Sequence, residues 1–135
     1  ENAGMQGVAD RVVFLEGDLY EALIHGQGSS TFDLIVSNPP YIKTSDIRNL
    51  EPEVKDFEPI YALDGGEDGL EIIRRIIEKA YMYLNNNGWL MMEVGAGQGR
   101  EVKELIEASG NYSRGTVIKD YSGIERVVKA QIWTR

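Results

Sequence analysis

Short apolar runs alternate with helical periodicity along this chain, and that alternation limits the fold more than any other feature. Three runs have the length and composition of buried strands: VVFLEGD (residues 12–18), FDLIVS (Phe32–Ser37) and GWLMMEVG (residues 88–95). Apolar side chains recur at helical spacing over residues 70–84 and again over residues 102–106. Strands that alternate with helices are typical of an α/β fold, in which a mostly parallel sheet carries helices on its faces.

Two more apolar runs close the chain and predict a hairpin. They are GTVIKD (residues 115–120) and ERVVKAQIWTR (residues 125–135), separated by the turn YSG. A turn this short joins antiparallel strands. Before them, NNNG (residues 85–88) predicts a cap for the first long helix, and Gly110 predicts the end of the second.

Composition excludes several classes of protein. The 135 residues suit one domain, with 42% hydrophobic and 27% charged residues and no cysteine, which rules out disulfides and thiolate metal sites. A formal net charge of -8 argues against non-specific binding to nucleic acid. No run approaches the roughly 20 apolar residues of a membrane-spanning helix. We therefore expect one cytoplasmic domain, residues 1–135, without a membrane partner.

The strand FDLIVS runs directly into Asn38, Pro39, Pro40 and Tyr41. Two prolines hold the preceding backbone extended and cannot donate hydrogen bonds, so carbonyl groups remain free to accept. The Asn38 side chain adds another carbonyl acceptor. Acceptors beside an aromatic face form a socket for a planar NH₂ group, as methyl transfer to an amide or an exocyclic amine requires. Although Asn-Pro is also a common turn starter, its position at a strand's end predicts a catalytic site.

Several motifs together resemble one enzyme family. NPPYI is followed by LEPEV, FEPIYALDGGEDGL, GWLMMEVGAGQG and DYSGIERVV, over essentially the whole chain. In this order they closely resemble the release-factor glutamine methyltransferases of the HemK type, which are class I, S-adenosylmethionine-dependent methyltransferases. The resemblance implies methylation of a glutamine side-chain amide in peptide-chain release factors.

The resemblance also implies residue roles. Asn38 and the Pro39 carbonyl would accept the amide N–H groups, and Tyr41 would pack on the amide plane. Asp18 would bind the adenine amino group of S-adenosylmethionine and Leu19 would pack beside the adenine ring, with Asn38 also near the cofactor. Glu58, in the long segment after Tyr41, would contact the protein substrate.

The family carries its glycine-rich cofactor loop on strands that precede the segment seen here. The resemblance therefore implies that residues 1–135 are the C-terminal part of a catalytic domain, a partial Rossmann-like fold lacking its first two strands and inactive alone. An unpaired sheet edge would then favour self-association.

Other hypotheses stay open on sequence grounds. EVGAGQG (residues 93–99) follows a strand and precedes a helix like a cofactor loop, which would indicate a circularly permuted DNA methylase. A nucleic-acid amino-methyltransferase acting on adenine or guanine could use the same socket. A non-catalytic binding module is the third possibility. The acidic residues Asp64, Glu67 and Asp68 fit no regular metal-ligand spacing, so we expect a turn and helix cap there and no metal.

Overall fold

The computed structural model describes residues 1–24, 31–55 and 57–133, and the chain forms two compact units, Glu1–Ser30 and Thr31–Arg135. Within its described residues, the first unit contains two one-turn helices, α1 (Asn2–Met5) and α2 (Glu21–Ile24), with a 3₁₀ turn at Ala9–Arg11 between them.

The predicted strand at residues 12–18 is not formed. Its backbone starts extended at Val12, but no described strand pairs with it. Val13 and Phe14 are 82% and 77% exposed. A strand exists only through its ladder partner, so an apolar run without a partner stays irregular. The prediction was wrong because it rested on local composition alone.

The second unit holds the sheet and the long helices. In chain order it contains β1 (Phe32–Ser37), α3 (Pro52–Lys55), α4 (Glu71–Tyr83), β2 (Leu84–Glu93), α5 (Gly99–Ala108), β3 (Thr116–Lys119) and β4 (Glu125–Gln131). The strand order is β1-β2-β4-β3. β1 and β2 are parallel, whereas β4 is antiparallel to both β2 and β3.

This arrangement confirms the α/β class and the C-terminal antiparallel hairpin. Among the described strands, parallel pairing is confined to β1 and β2, because residues 12–18 do not join the sheet. α4 and α5 contact each other and the same sheet. The long helices therefore cover one face rather than both.

The core lies between that face and the two helices. Leu90, Met92 and Val94 alternate along and just beyond β2 and are fully buried, as are Ile73 of α4 and Val102 of α5. Alternation on a strand and a helical stripe are the two patterns that bury one face of each element. The predicted helices are confirmed on this basis.

The opposite face of the sheet is open. Leu34 and Val36 of β1 are 49% and 69% exposed, and Trp89, which pairs with Leu34 in register, is 36% exposed. The Lys129 ammonium lies 5.0 Å from the centre of the Trp89 ring. β1 was predicted as a buried strand, but an edge strand with one uncovered face leaves alternate side chains exposed.

NNNG does not cap α4. The helix ends at Tyr83, and the next residue, Leu84, is already extended and pairs with Phe32. The register then jumps, because Leu34 pairs with Trp89, so the asparagines form an irregularity in β2. Asn87 has a φ of 64°, a left-handed conformation that asparagine tolerates better than most residues. The predicted cap was wrong, because the asparagines lie within β2 rather than at the end of the helix.

The long segment after Tyr41 contains α3 and two 3₁₀ turns, Ile47–Asn49 and Ile60–Ala62. α5 ends at Ala108, and Gly110 follows with a φ of 70°, as predicted for a terminating glycine. In the described part of the chain, no helix has the length and apolar character needed to cross a membrane.

Candidate active site

The four residues predicted to be catalytic lie together at the C-terminal end of β1. Asn38, Pro39, Pro40 and Tyr41 line one wall of a cavity of about 390 Å³. The remaining wall comes from the residue after them and from the segment that contains α3: Ile42, Val54, Glu58, Ala62 and Leu63. The site therefore stands where ligands of α/β sheets bind.

Two acceptors in this wall have no protein donor. The Asn38 side chain is exposed, and none of the described residues hydrogen-bonds to it or to the Pro39 carbonyl. Pro39 itself is buried, which anchors the segment. Neither proline can donate a hydrogen bond. The wall can therefore accept N–H groups from a ligand.

Tyr41 is held by hydrogen bonds at its hydroxyl and at its backbone carbonyl. Its hydroxyl donates to Glu93 Oε1 over 3.2 Å, and its carbonyl accepts from Gln98 Nε2 over 3.0 Å. Burial, and then the Glu93 carboxylate, raise the pKa of Tyr41 above its ordinary value, while Arg126 acts in the opposite direction. The phenol therefore stays neutral at physiological pH and offers an aromatic face.

The glycine-rich segment that follows the 3₁₀ turn at Ile60–Ala62 packs against the backbone of Pro40 and Tyr41. The Ile42 N–H donates to the Leu63 carbonyl over 3.0 Å, and the Gly65 N–H donates to the Ile42 carbonyl over 2.8 Å. A Cβ on Gly65 would lie 2.9 Å from the Pro40 carbonyl oxygen. Only glycine fits so close to this backbone.

The acidic residues of this segment shape the loop. Asp64 accepts from the Thr44 hydroxyl over 2.7 Å and from the Gly66 N–H over 3.0 Å, and both bonds lower its pKa. Asp68 accepts from the Leu70 N–H at the start of α4 and pairs with Arg74, which lowers its pKa to about 2. These contacts match the expected turn, but the helix cap is not formed as expected: the N-cap of α4 is Leu70, and no side chain caps the first turn. Among the described residues, no group of three potential metal ligands is found.

A second, smaller cavity of about 170 Å³ lies at the ends of β1 and β2. It is lined by Val36, Ser37, Asn38, Met91, Met92, Glu93 and Val127. Asn38 lines both cavities at the C-terminal end of β1.

Asp18 and Leu19 belong to the first unit. Asp18 is exposed and its backbone carbonyl accepts from the Glu21 N–H, which begins α2. Leu19 is half-buried and has a φ of 49°. A carboxylate next to an apolar side chain offers the chemistry that an adenine needs, an acceptor for its amino group and a surface for its ring. The residues thus fit the adenine end of S-adenosylmethionine.

EVGAGQG forms the strand-to-helix turn between β2 and α5. The Gly95 N–H donates to the Gln98 side chain over 2.8 Å instead of pointing to a ligand. A cofactor loop uses such backbone N–H groups to approach phosphate or carboxylate groups. This contact argues against the permuted arrangement.

Sequence reasoning missed two residues of this site, Glu93 and Gln98. Both stood inside the quoted EVGAGQG motif, but they were considered only as part of a loop. Val54, Ala62 and Leu63 were also missed, because nothing local marks them as cavity residues.

Comparison with known proteins places the fold in a class. A solved methyltransferase from Pyrococcus furiosus matches with a TM-score of 0.50 at 21% identity, covering 76% of this chain and 41% of that one. The family model of the Eco57I restriction-modification methylase matches residues 11–94. The described fold is similar to that of a methyltransferase, and the chain belongs to the Eco57I restriction-modification methylase family.

Curated relatives show which methyltransferases the chain resembles in sequence. The release factor glutamine methyltransferase of Geobacter sulfurreducens is 48% identical over 90% of this chain and 41% of that protein. The enzyme of the same name from Thermodesulfovibrio yellowstonii is 41% identical over 97% of this chain and 45% of that protein. These relatives confirm the resemblance that the motifs predicted: over nearly its whole length, the chain is similar to release factor glutamine methyltransferases. It spans less than half the length of these relatives.

Proposed function

We propose that residues 1–135 form the C-terminal part of the catalytic domain of an enzyme that methylates a glutamine side-chain amide in a peptide-chain release factor, with S-adenosylmethionine as methyl donor. The observation that carries the proposal is the pair of acceptors at Asn38 and Pro39, which face a cavity and have no donor among the described residues. The proposal implies a cytoplasmic location, where release factors act.

A glutamine amide is a poor nucleophile because its nitrogen lone pair is delocalised into the carbonyl group. The Asn38 side-chain oxygen and the Pro39 carbonyl accept its two N–H groups and so fix the plane of the amide. Hydrogen bonds that strengthen as charge develops on nitrogen lower the barrier more than they aid binding. The ring of Tyr41 packs on the amide and sets its orientation.

When bound, S-adenosylmethionine would supply an electrophilic methyl carbon for the amide nitrogen, with a neutral thioether as leaving group and one nitrogen proton released to water. By the family resemblance, Asp18 and Leu19 would hold the adenine end of the donor, and Asn38 would hold the amide. An attacking atom placed in line accounts for much of the rate enhancement in such transfers.

Glu58 brings one negative charge to the other cavity wall, whose remaining residues are apolar. Glu58 lines the cavity, and the chain carries a net charge of -8. Both features favour a substrate segment with positive charges and disfavour a phosphate backbone. We infer that Glu58 contacts the protein substrate near the glutamine.

A second candidate function is amino methylation of a nucleic-acid base. The description of the matching family model, a restriction-modification methylase, favours it. The same two acceptors could bind the exocyclic amine of a flipped adenine. The charge of Glu58, the net charge of -8 and the curated relatives favour the glutamine substrate.

Mass spectrometry separates these functions. The complete protein is incubated with isotopically labelled S-adenosylmethionine and, in separate reactions, with a release factor and an adenine-containing oligonucleotide. We expect one added methyl group on a glutamine of the release factor and none on the oligonucleotide. Label on the oligonucleotide alone would establish the second function, and label on neither would leave a binding module. An Asn38→Ala variant controls for contaminating enzymes.

A further inference from the structure

The Gln98 side chain joins three segments of the site. Its Oε1 accepts from the Gly95 N–H over 2.8 Å, in the turn after β2. Its Nε2 donates to the Tyr41 carbonyl over 3.0 Å and lies 3.4 Å from the Gly69 carbonyl, which precedes α4. One carboxamide thus connects the turn before α5, the catalytic segment and the glycine-rich loop.

The chemistry of the partners fixes the orientation of this carboxamide. Gly95 presents a donor on one side, while Tyr41 and Gly69 present carbonyl acceptors on the other. Only an amide offers both an acceptor and a two-proton donor at this point. A glutamate would keep the bond to Gly95 but would place a carboxylate oxygen against two carbonyl oxygens.

The backbone around Gln98 leaves no room for side chains. A Cβ on Gly69 would lie 2.6 Å from the Tyr41 carbonyl oxygen and 2.9 Å from Gln98 Nε2. A Cβ on Gly95 would lie 2.7 Å from Gln98 Oε1 and 3.1 Å from Cδ2 of the Tyr41 ring. Both glycines therefore allow the carboxamide to reach its partners.

The catalytic segment needs a support of this kind. Pro39 and Pro40 have no N–H, so the segment cannot be held by its own ladder hydrogen bonds. Besides the burial of Pro39 and the Tyr41–Glu93 hydrogen bond, its position depends on groups that donate to its carbonyls. Gln98 is such a donor, and it binds the carbonyl of the residue that follows the prolines.

We propose that Gln98 is a positioning residue that holds Tyr41, and with it the acceptors of Asn38 and Pro39, in the geometry for transfer. This inference rests on the proposed function. Because Gln98 acts through Tyr41, its loss should reduce turnover more than binding. A displacement of about 1 Å in such a site can cost on the order of 100-fold in rate.

Two substitutions in the complete protein test the two sides of the carboxamide. Gln98→Met keeps the length of the side chain and removes all three contacts. Gln98→Glu keeps the acceptor for Gly95 and removes the donor to Tyr41. Arg100→Met is the control, since Arg100 lies in the first turn of α5 with 88% of its side chain exposed, and its ion pair is with Glu104 at the surface.

Each variant is compared with the wild type in two measurements. The first gives kcat and KM for methylation of a release factor, and the second gives the hydrogen exchange rate of the Gly95 amide. For Gln98→Met we expect kcat to fall about 10-fold to 100-fold, KM for S-adenosylmethionine to stay within about threefold, and the Gly95 amide to exchange at least about tenfold faster. For Gln98→Glu we expect the same loss of kcat with the Gly95 amide still protected. Arg100→Met should match the wild type in both measurements.

Three results would overturn the inference. If Gln98→Met keeps kcat within about twofold while Gly95 exchange accelerates, the contact exists but does not position the site. Unchanged Gly95 exchange in Gln98→Met would show that the contact is not formed. A wild-type protein that methylates no release factor would remove the proposed function and the positioning role with it, whereas the exchange rates would still report whether the contact is made.

Discussion

The hydroxyl of Tyr41 donates to the carboxylate of Glu93, which ends β2, and so links the catalytic segment after β1 to the neighbouring parallel strand. The bond is 3.2 Å long, near the upper end for such a hydrogen bond. The two residues are 52 positions apart in sequence. The ring is therefore oriented from its far edge, while its face remains available to a substrate.

Tyr41→Phe is expected to be a mild substitution. It removes one neutral-to-carboxylate bond of ordinary strength and keeps the aromatic face, so we expect kcat to fall by less than about tenfold. Tyr41→Ala removes the face as well and should cost more. Steady-state methylation kinetics compare the two, with Glu93→Gln as a control that keeps an acceptor near the hydroxyl. A Phe variant as inactive as Asn38→Ala would indicate that the hydroxyl itself takes part in the chemistry.

Asn38 should be the least replaceable residue of the site. Asn38→Ala removes a preorganised acceptor, and we expect kcat to fall about 100-fold or more. Asn49→Ala is the matched control, because Asn49 is an exposed asparagine in a 3₁₀ turn outside the cavity. Single-turnover measurements with a release factor give the rate directly. Turnover of Asn38→Ala within about threefold of the wild type would refute the amide-socket mechanism.

Gly69 tests how tightly the loop packs behind Tyr41. Gly69 and Gly123 have almost the same φ, 79° and 80°. A Cβ on Gly69 would lie 2.6 Å from the Tyr41 carbonyl oxygen, whereas a Cβ on Gly123 would meet nothing within 4 Å. Alanine at either position carries the same left-handed strain, of about 1 kcal/mol. We expect Gly69→Ala to lower kcat as well as stability and Gly123→Ala to lower stability alone. Parallel thermal unfolding and methylation assays measure both effects, and equal loss of kcat in the two variants would contradict the packing argument.

Asp68 leads to a prediction of how the stability of the protein depends on pH. Its hydrogen bond to Arg74, first, and its bond from the Leu70 N–H lower its pKa from 3.8 to about 2. A lowered pKa in the folded state means that the stabilisation is present above the ordinary pKa and is lost as pH falls through about 2. The destabilisation caused by Asp68→Asn should therefore be constant above about pH 5 and shrink below about pH 3. Denaturant midpoints at several pH values measure it, and Arg74→Met, which removes the first cause, should show the same trend.

Much of the site could be predicted from sequence because its central motif is contiguous. Asn38, Pro39, Pro40 and Tyr41 follow β1 directly, and the strand boundaries at Phe32–Ser37 came out as predicted. An apolar run and two prolines are local signals, and local signals suffice where consecutive residues form the site.

The partners of Tyr41 could not be predicted in the same way. Gln98 lies 57 positions from Tyr41, and which carbonyl it reaches depends on how the turn after β2 packs against the catalytic segment. The prediction of a strand at residues 12–18 was wrong for a related reason. Strand pairing is non-local, and a run of apolar residues does not indicate which segment it will pair with. The sequence therefore predicts the contiguous Asn38–Tyr41 motif better than it predicts the distant residues that hold that motif in place.

The last prediction concerns cofactor binding by residues 1–135 alone. The resemblance assigns Asp18, Leu19 and Asn38 to the cofactor, and the chain spans less than half the length of its curated relatives. Contacts to the ribose and the methionine part of S-adenosylmethionine are expected from the remainder of such a protein, each worth on the order of 1 kcal/mol. We therefore expect calorimetric titration of the 135-residue chain to give a dissociation constant at least about 100-fold weaker than that of the complete protein. Adenosine serves as the control ligand, since it keeps the adenine group that Asp18 and Leu19 would bind. A dissociation constant of about 1–10 µM for S-adenosylmethionine with the 135-residue chain would show a complete pocket and would return Gly95, Gly97 and Gly99 to consideration as a cofactor loop.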